Sequence, residues 1–233
     1  MLDVGFGTGF PALELAERLG PGSRVYGIEP GEEGPRRAWR KARDYGIANV
    51  LLVRAVAERL PLRSGAFDLV VSNNGYNNVQ DLAAALQETR RVCRAGAQLV
   101  HTYNLPETMQ LFYDEYAAIL VECGMEARLP VLRAHIDAKR PAAHTVRARL
   151  ERAGFAVSRE TQSAFTLRYL DGRALFRHHF IRAGFLDAWR AVVPAEAAAD
   201  LFDRLERRLD AAAAARGELR LEIPFACFDC RAE

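Results

Sequence analysis

The sequence predicts an α/β fold built on a doubly wound, mostly parallel sheet with helices on both faces. Three observations lead to this prediction. Short apolar runs alternate with amphipathic segments of helical period through the first hundred residues. The run at 67–72 (FDLVVS) is nearly continuous in apolar residues, as in a strand that is buried on both faces. A glycine-rich turn joins the first run to the first helical segment. Strands that alternate with helices imply crossover connections and therefore parallel pairing.

The elements of the first half follow in order. Apolar runs predict strands at 1–4, 24–29, 49–54, 67–72 and 97–103. Helical spacing predicts helices at 12–19, 34–45 and 81–93. The first of these helices places Ala12, Leu13 and Ala16 on one face, and the third repeats Leu82 and Leu86.

The second half has a different pattern. We predict helices at 106–123, at 142–153 and through most of 171–216, with an irregular basic connector at 130–141. Strand-like stretches lie within 155–170, and the alternation at 218–227 predicts a last strand. Pro224 within that strand indicates an edge position or a bulge.

Composition limits the classes of partner. The 233 residues carry a formal net charge of +2, which gives no electrostatic case for nucleic acid or a membrane surface. No apolar run approaches the roughly 20 residues of a membrane span, and no signal peptide is visible. Four cysteines in this length indicate a reducing cytoplasm rather than a disulfide scaffold.

The strongest motif lies between the first strand and the first helix. It reads Leu2-Asp3-Val4-Gly5-Phe6-Gly7-Thr8-Gly9, and Glu29 ends the next strand 20 residues after Gly9. Glycines let the backbone approach a ligand closely, and a carboxylate at that strand end suits two ribose hydroxyls. The spacing G-x-G-x-G differs from the dinucleotide fingerprint G-x-G-x-x-G. The third small residue of that fingerprint would be Phe10 here, whose large side chain would obstruct close packing of the helix on the strand and so disfavours a dinucleotide. Asp3 suits a cofactor with a cationic amino-acid end better than a pyrophosphate.

Four motifs together carry a family resemblance. D-V-G-x-G-T-G, V-x-G-I-E, A-E-x-L-P and F-D-L-V-V-S resemble the class I S-adenosylmethionine (AdoMet)-dependent methyltransferases, in particular the group similar to ubiquinone/menaquinone-biosynthesis methyltransferases with a methyltransferase type 11 domain. The resemblance runs from Leu2 to about Tyr103. It implies a Rossmann-like sheet of seven strands and methyl transfer from AdoMet to a small, partly apolar acceptor by in-line displacement.

The resemblance also implies roles for cofactor-binding residues. Those around the methionine part, the ribose, the adenine and the methyl group are, in chain order, Asp3, Gly5, Phe6, Gly7, Thr8, Gly9, Glu29, Pro30, Ala57, Glu58, Asn73 and Asn74. Val56 stands where relatives usually show an acidic residue that accepts from the adenine amino group. Adenine recognition then rests on the Ala57 backbone and Glu58, or is weaker.

The catalytic residues are open. Methyl transfer from a sulfonium needs a general base only when the acceptor is protonated, so no triad is expected. Candidates that contact the acceptor are His178, His179, Tyr76 and His101, and each has an alternative role in the core, at a helix cap or on the surface. Arg168 and Tyr169 are further candidates for an anionic or aromatic acceptor.

No metal site is expected. Cys227 and Cys230 form a C-x-x-C in the last strand, without further zinc ligands near them in sequence and without the helix that a redox motif needs.

The resemblance implies two parts of the chain. Residues 1–104 form the AdoMet-binding core, and 105–233 complete the sheet with insertions at about 106–141 and 171–216 that cover the substrate. Aromatic residues of these insertions either roof a pocket or pack as core. Relatives usually carry a helical segment before the first strand, which this sequence lacks, so either the start codon is misassigned or the site is open.

The sequence is compatible with two other functions. One is a non-catalytic AdoMet-binding or partner-binding protein, which Val56 favours. The other is an NAD-dependent oxidoreductase, which the glycine spacing disfavours. Oligomeric state cannot be read from the sequence.

Overall fold

A computed structural model describes all residues from Met1 to Glu233. The strands are β1 (Leu2–Val4), β2 (Val25–Glu29), β3 (Val50–Arg54), β4 (Phe67–Asn73), β5 (Cys93–Asn104), β6 (Phe155–Tyr169) and β7 (Leu219–Ala232). The helices are α1 (Ala12–Leu19), α2 (Glu33–Asp44), α3 (Leu82–Val92), α4 (Gln110–Glu122), α5 (Leu129–Lys139), α6 (Ala143–Arg152), α7 (Gly172–Arg177), α8 (His179–Gly184), α9 (Leu186–Arg190) and α10 (Ala195–Arg216). Short 3₁₀ turns occupy Gly75–Asn78 and Glu126–Arg128.

The seven strands form one sheet in the order β3-β2-β1-β4-β5-β7-β6. The pairs β1–β2, β1–β4, β2–β3 and β4–β5 are parallel, and β7 runs antiparallel to β5. The predicted α/β class with a mostly parallel, doubly wound sheet is therefore confirmed. Parallel pairing brings the carboxyl ends of β1, β2 and β4 to the same edge, which is where ligands bind in open sheets of this kind.

The chain divides into two compact units. The first contains Met1–Asn104, Ala142–Gln162 and Phe225–Glu233, and the second contains Leu105–Pro141 and Ser163–Pro224. The chain crosses from one unit to the other within β6 and again within β7.

The core of the first unit includes a cluster against β2 and β3. Its buried members are Phe6, Ala12, Ala16, Val25, Ala38 and Leu52. Small residues of α1 and α2 face this cluster, so both helices lie close to the sheet. Gly27 leaves the space that the Phe6 ring fills, because a Cβ there would lie 2.6 Å from Phe6 Cδ1 and 2.7 Å from Leu52 Cδ2.

The second unit has a core of its own, centred on aromatic side chains. Phe112 stacks on Trp189 with ring centroids 4.1 Å apart, and the Tyr116 hydroxyl donates to the Trp189 carbonyl oxygen at 2.9 Å. Met109 and Tyr113 are buried with them. These residues of the insertions therefore pack as core, whereas Phe180 is exposed.

The expected irregular connector at 130–141 is wrong, because most of this segment is α5. Pro130 lies in the first turn of the helix, where its missing N–H has no intrahelical acceptor and its fixed φ suits the helix. Leu132 and Ile136, four residues apart, are the buried positions. The proline thus marks a helix start rather than a break.

The edge position that Pro224 indicated is also wrong, because β7 lies between β5 and β6. The β5–β7 ladder ends at the pair Asn104 and Phe225, so Pro224 lies just beyond it. Its carbonyl oxygen accepts from the Leu105 N–H at 2.9 Å. The missing N–H of the proline therefore costs no bond of the β5 ladder.

None of the helices combines the length and the apolar character that crossing a membrane requires.

The contact between Gly27 and Phe6 predicts a selective loss of stability. Gly27→Ala is expected to lower the free energy of unfolding by about 1–3 kcal/mol, because the buried ring must leave its place. Gly22→Ala is the matched control, since a Cβ at Gly22 meets nothing within 4 Å. Urea unfolding of both variants measures the difference, and adding Phe6→Leu to Gly27→Ala should restore part of the loss. Equal stability of the two alanine variants would contradict this packing.

Candidate functional site

The candidate site is built around the turn that follows β1. The backbone leaves Val4 and makes three glycine positions with positive φ: 82° at Gly5, 51° at Gly7 and 107° at Gly9. The Gly9 carbonyl oxygen then accepts from the Leu13 N–H at 2.8 Å, which joins the turn to the first turn of α1.

Gly5 is required by a close approach of two backbones. A Cβ at Gly5 would lie 2.5 Å from the Cα of Gly75, in the turn after β4. A Cβ at Gly75 would lie 2.1 Å from the Val4 carbonyl oxygen. The Ser72 hydroxyl donates to that same oxygen at 2.8 Å. The ends of β1 and β4 are therefore fixed against each other.

Gly7 is in a different situation. A Cβ added at Gly7 would meet nothing within 4 Å, so the space beside this residue is open. The backbone of Gly34 in α2 packs closely against the turn, since a Cβ at Gly34 would lie 2.8 Å from the Gly7 carbonyl oxygen. Lys41 of α2 donates to the Thr8 carbonyl oxygen at 3.0 Å. The motif alone did not indicate the roles of Gly34 and Lys41, which become visible only once α2 is placed.

Glu29 faces this turn from the end of β2. Its Oε2 accepts from the Gly7 N–H and its Oε1 from the Gly31 N–H, both at 3.1 Å. The side chain is partly buried. The carboxylate is thus oriented by two backbone donors and keeps acceptor capacity for ligand hydroxyls. Pro30, next to it, is exposed.

Asp3 is a buried acidic residue of the first unit. The residue is fully buried in β1, and neither carboxylate oxygen has a hydrogen-bond partner. Desolvation raises the pKa of Asp3 to about 7; the backbone N–H of Ala12 acts in the opposite direction, and the negative charge of Glu29 adds to the increase. A buried carboxyl without a side-chain partner is unfavourable, and Asp3 lies two residues before the glycine turn, which makes it a candidate functional residue.

The segment after β3 is also fixed by a carboxylate. Glu58 Oε1 accepts from the Gln80 N–H at 2.8 Å and from the Asp81 N–H at 3.3 Å. Ala57 is buried and Val56 is exposed. The side chain of Glu58 therefore ties this segment to the loop before α3.

A second pair of contacts fixes the residues after β4. The Thr102 hydroxyl of β5 donates to Asn73 Oδ1 at 2.8 Å and accepts from the Asn74 N–H at 3.1 Å. Asn74 has a positive φ of 58°. Asn73 is exposed at the edge of the sheet. Thr102 was not singled out from the sequence; its register opposite Asn73 is the signal that reveals it.

Phe6, Thr8 and Phe10 lie in different surroundings. The Phe6 side chain is core, so only its backbone is available to a ligand, whereas Thr8 is exposed. Phe10 is 63% exposed and does not obstruct packing of α1 on the sheet, which corrects that argument against a dinucleotide. Gly9 is the position where α1 packs closely, since a Cβ added there would lie 2.6 Å from Leu13 Cδ1.

Two of the catalytic candidates are buried. His101 is 1% exposed, stacks on Phe228 with centroids 5.3 Å apart, and neither ring nitrogen has a hydrogen-bond partner. Desolvation lowers the pKa of His101 to about 4, so the ring is neutral at pH 7. The Tyr76 hydroxyl bonds to the Thr89 hydroxyl at 2.7 Å, and burial raises the pKa of Tyr76.

The other candidates belong to the second unit. His178 and His179 are exposed at the junction of α7 and α8, and His178 lies edge-on to Tyr169. Arg168 is exposed and paired with Glu218 at 2.8 Å. Its charge is thereby compensated.

The cysteines are free thiols, and Cys227 and Cys230 both lie on β7. No group of three His, Cys, Asp or Glu side chains is arranged to hold a metal ion.

An open groove of about 850 Å³ lies at the opposite edge, by the amino ends of β2 and β3. None of the candidate residues lines it.

Known proteins resemble this chain in sequence. Residues 2–101 match the family model of a methyltransferase domain. The demethylmenaquinone methyltransferase of Geobacillus kaustophilus is 33% identical over 123 residues, covering 51% of this chain and 53% of the relative. That of Listeria monocytogenes is 32% identical over 128 residues, with 53% and 54% covered. The chain thus spans about half the length of the curated relatives it matches.

Solved structures resemble it in fold. The YcgJ protein of Bacillus subtilis has a TM-score of 0.61 at 17% identity, covering 100% of this chain and 91% of its own. The S-adenosylmethionine-dependent methyltransferase of Mesorhizobium loti has a TM-score of 0.54 at 16% identity, covering 99% and 89%. The (4+2)-cyclase SpnF has a TM-score of 0.57 at 18% identity, covering 99% and 73%. At these identities the likeness shows the fold alone.

The resemblance that the four motifs indicated is therefore confirmed at the level of the domain: residues 2–101 match a methyltransferase domain, and the curated relatives over this region are methyltransferases.

Proposed function

We propose that this chain binds AdoMet at the carboxyl ends of β1, β2 and β4 and transfers its methyl group to a small, partly apolar acceptor. The observation that carries the proposal is the pair of carboxylates beside the glycine turn. Glu29 is oriented by the Gly7 N–H, and Asp3 is buried without a partner. A ligand that brings hydroxyl groups to Glu29 and a cationic end towards Asp3 would complement both.

The charges favour AdoMet over a dinucleotide. AdoMet carries an ammonium group, a sulfonium and a ribose diol, which complement two carboxylates. A pyrophosphate would bring negative charge to a turn that already has Asp3 and Glu29 beside it, and like charges in a partly desolvated site repel. The charges of the two carboxylates, rather than the side chain of Phe10, therefore disfavour a dinucleotide.

The adenine end is proposed to lie against the segment after β3. Glu58 Oε1 already accepts from the Gln80 and Asp81 N–H groups. Its proposed role is therefore to fix the segment that would lie against the adenine. The Ala57 backbone would then recognise the base.

Asn73 and the backbone around Asn74, held by Thr102, are proposed to line the position of the transferable methyl group.

The reaction needs little from the protein beyond placement. Bound AdoMet supplies a methyl carbon that its sulfonium has already activated. A lone pair of the acceptor forms the new bond to that carbon while the carbon–sulfur bond breaks and its electrons go to sulfur. The residues of the site would hold the two reactants in line and exclude water. His101, neutral and buried in the core, has no part in this proposal; His178 and His179 remain candidates for a base if the acceptor is protonated.

The acceptor itself is defined only as a class. The relatives named for demethylmenaquinone match about half of this chain, so their acceptor is not assigned to it. The SpnF cyclase has the same fold, which makes turnover a necessary test. Purified protein incubated with methyl-labelled AdoMet and a panel of small acceptors should release S-adenosylhomocysteine only with an acceptor present. Binding of AdoMet without turnover across the panel would favour a non-catalytic AdoMet-binding protein.

Removing the charge of Glu29 should weaken AdoMet binding. In Glu29→Gln the side chain loses an ionised acceptor, and we expect at least roughly a ten-fold rise in the dissociation constant for AdoMet. Glu33→Gln is the matched control, because the Glu33 side chain is exposed on α2. Calorimetric titration with AdoMet, S-adenosylhomocysteine and NAD measures the effect. Unchanged AdoMet affinity in Glu29→Gln, or NAD binding more tightly than AdoMet, would overturn the site assignment.

Asp3 is expected to lower the free energy of unfolding at neutral pH and to strengthen the binding of AdoMet. Its pKa is higher in the folded protein, about 7, than its ordinary value of 3.8. As pH rises, the unfolded chain therefore loses this proton first, and stability falls between about pH 4 and pH 7 and stays lower above. Asp3→Asn should unfold at a higher temperature than the wild type at pH 8 and show a much smaller advantage at pH 4.5, while binding AdoMet more weakly.

Thermal unfolding across this pH range measures the effect. Asp203→Asn on the exposed side of α10 is the control and should leave the pH profile unchanged. An Asp3→Asn effect that is the same at all pH values would mean that Asp3 is not titrating in the way described.

A further inference from the structure

Two acidic side chains lie on neighbouring strands beside the glycine turn, and only one of them has its charge stabilised. Asp3 is in the middle of β1 and fully buried, and Glu29 ends β2. Glu29 accepts from the Gly7 and Gly31 N–H groups, whereas neither carboxylate oxygen of Asp3 has a side-chain partner. Asp3 is therefore the carboxyl that has most to gain from losing its charge when no ligand is bound.

The groups that face Asp3 from the surrounding elements give a carboxylate little support. Glu29 faces it from β2 with a negative charge, and β4 places the uncharged Val71 opposite it. The turn after β4 contributes the buried Tyr76 phenol, which is close enough for the charge of Asp3 to act on it. At the start of α1 the Ala12 N–H favours the ionised form, but no cationic side chain acts on Asp3.

These surroundings favour a protonated Asp3 in the ligand-free chain. Desolvation, with the charge of Glu29 added, raises the pKa of Asp3 to about 7. Near neutral pH a large share of the molecules therefore carries a proton on this side chain. A positive charge that arrives within about 6 Å would favour the carboxylate instead.

We propose that the amino-acid end of AdoMet displaces a proton from Asp3 when it binds, so that the affinity of this chain for its cofactor rises with pH. This deepens the proposed function and rests on it. The exchange is balanced: protonated Asp3 and the ammonium group of the ligand give a carboxylate that faces the ammonium, and the proton passes to the buffer. The affinity then rises by up to roughly ten-fold per pH unit below about pH 7 and levels off above it.

Two other buried groups of the first unit must be kept apart from this exchange. Burial lowers the pKa of His101 to about 4, so its ring stays neutral from pH 5.5 upwards. The Met1 amino group lies before β1, and burial lowers its pKa from the ordinary value of 8.0. The variant Asp3→Asn retains both groups, so the difference between its proton count and that of the wild type isolates Asp3.

Calorimetry in buffers of different ionisation enthalpy counts the protons that are released on binding. AdoMet and S-adenosylhomocysteine should each release most of roughly one proton per site at pH 6 and little at pH 8. 5′-Methylthioadenosine has the adenine and the ribose without the amino-acid end, and it should bind without releasing this proton. Equal release with 5′-methylthioadenosine would place the proton elsewhere and overturn the proposal. Release with AdoMet but not with S-adenosylhomocysteine would assign it to the sulfonium and overturn the role of the amino-acid end.

Variants locate the proton. Asp3→Asn should release no such proton, and its affinity for S-adenosylhomocysteine should change by less than about two-fold between pH 5.5 and pH 7, because the titrating group is removed. Asp203→Asn, exposed on α10, is the matched control and should release protons as the wild type does. Wild-type release that persists in Asp3→Asn would overturn the assignment. The comparison of ligands uses the wild type alone, so it decides the question even where the variant binds weakly.

The same titrations distinguish this inference from the proposed function. AdoMet binding with pH-independent affinity and no proton release would overturn the inference and leave the cofactor site in place. Absence of AdoMet binding by the wild type at every pH would overturn the proposed function, and the inference with it.

Discussion

The contact between the turns after β1 and β4 determines the geometry of the candidate cofactor site. Gly5 and Gly75 approach so closely that neither position has room for a side chain, and the Ser72 hydroxyl bonds the Val4 carbonyl oxygen beside them. With these two strand ends fixed, the turn at Gly7 must pass in front of the end of β2. That position brings it to Glu29. The open space beside Gly7 follows from backbone packing and needs no special side chain.

Asp3 is a different case, because its buried side chain lowers the stability of the folded protein. Its position in β1 is fully buried, and an apolar residue there would pack without loss of hydration. Neither carboxylate oxygen has a side-chain partner, and under the proposed function the ammonium end of AdoMet would supply one and offset the cost in stability. Natural proteins accept such a cost at sites where an unsatisfied group contributes to binding. Glu29 differs, because its backbone partners stabilise it before any ligand arrives.

The sequence predicted the sheet of the first half well, because each strand is a compact apolar run and each turn contains its glycines. It also predicted which segments meet at the site, since parallel strands bring their carboxyl ends together. It failed where one residue type has two structural meanings. Pro130 was interpreted as part of a connector, although a proline in the first turn favours a helix. Phe10 was taken as an obstacle to packing, but its side chain points to solvent.

The contacts that complete the site could not be predicted, because they join residues far apart in sequence. Thr102 orients Asn73 across a strand pair, and Glu58 holds the loop before α3 through two backbone donors. The role of Thr102 follows from the register of β4 and β5. The role of Glu58 follows from the path of the loop before α3. No sequence motif indicates either role.

The two units contribute different kinds of information about function. The first unit is constrained by backbone geometry, and the fold of the chain recurs in proteins as different as a methyltransferase and a cyclase. It therefore defines a fold but not an acceptor. The second unit has a separate aromatic core, in which Phe112 stacks on Trp189. Because these aromatic side chains are packed as core, they do not by themselves distinguish one small acceptor from another.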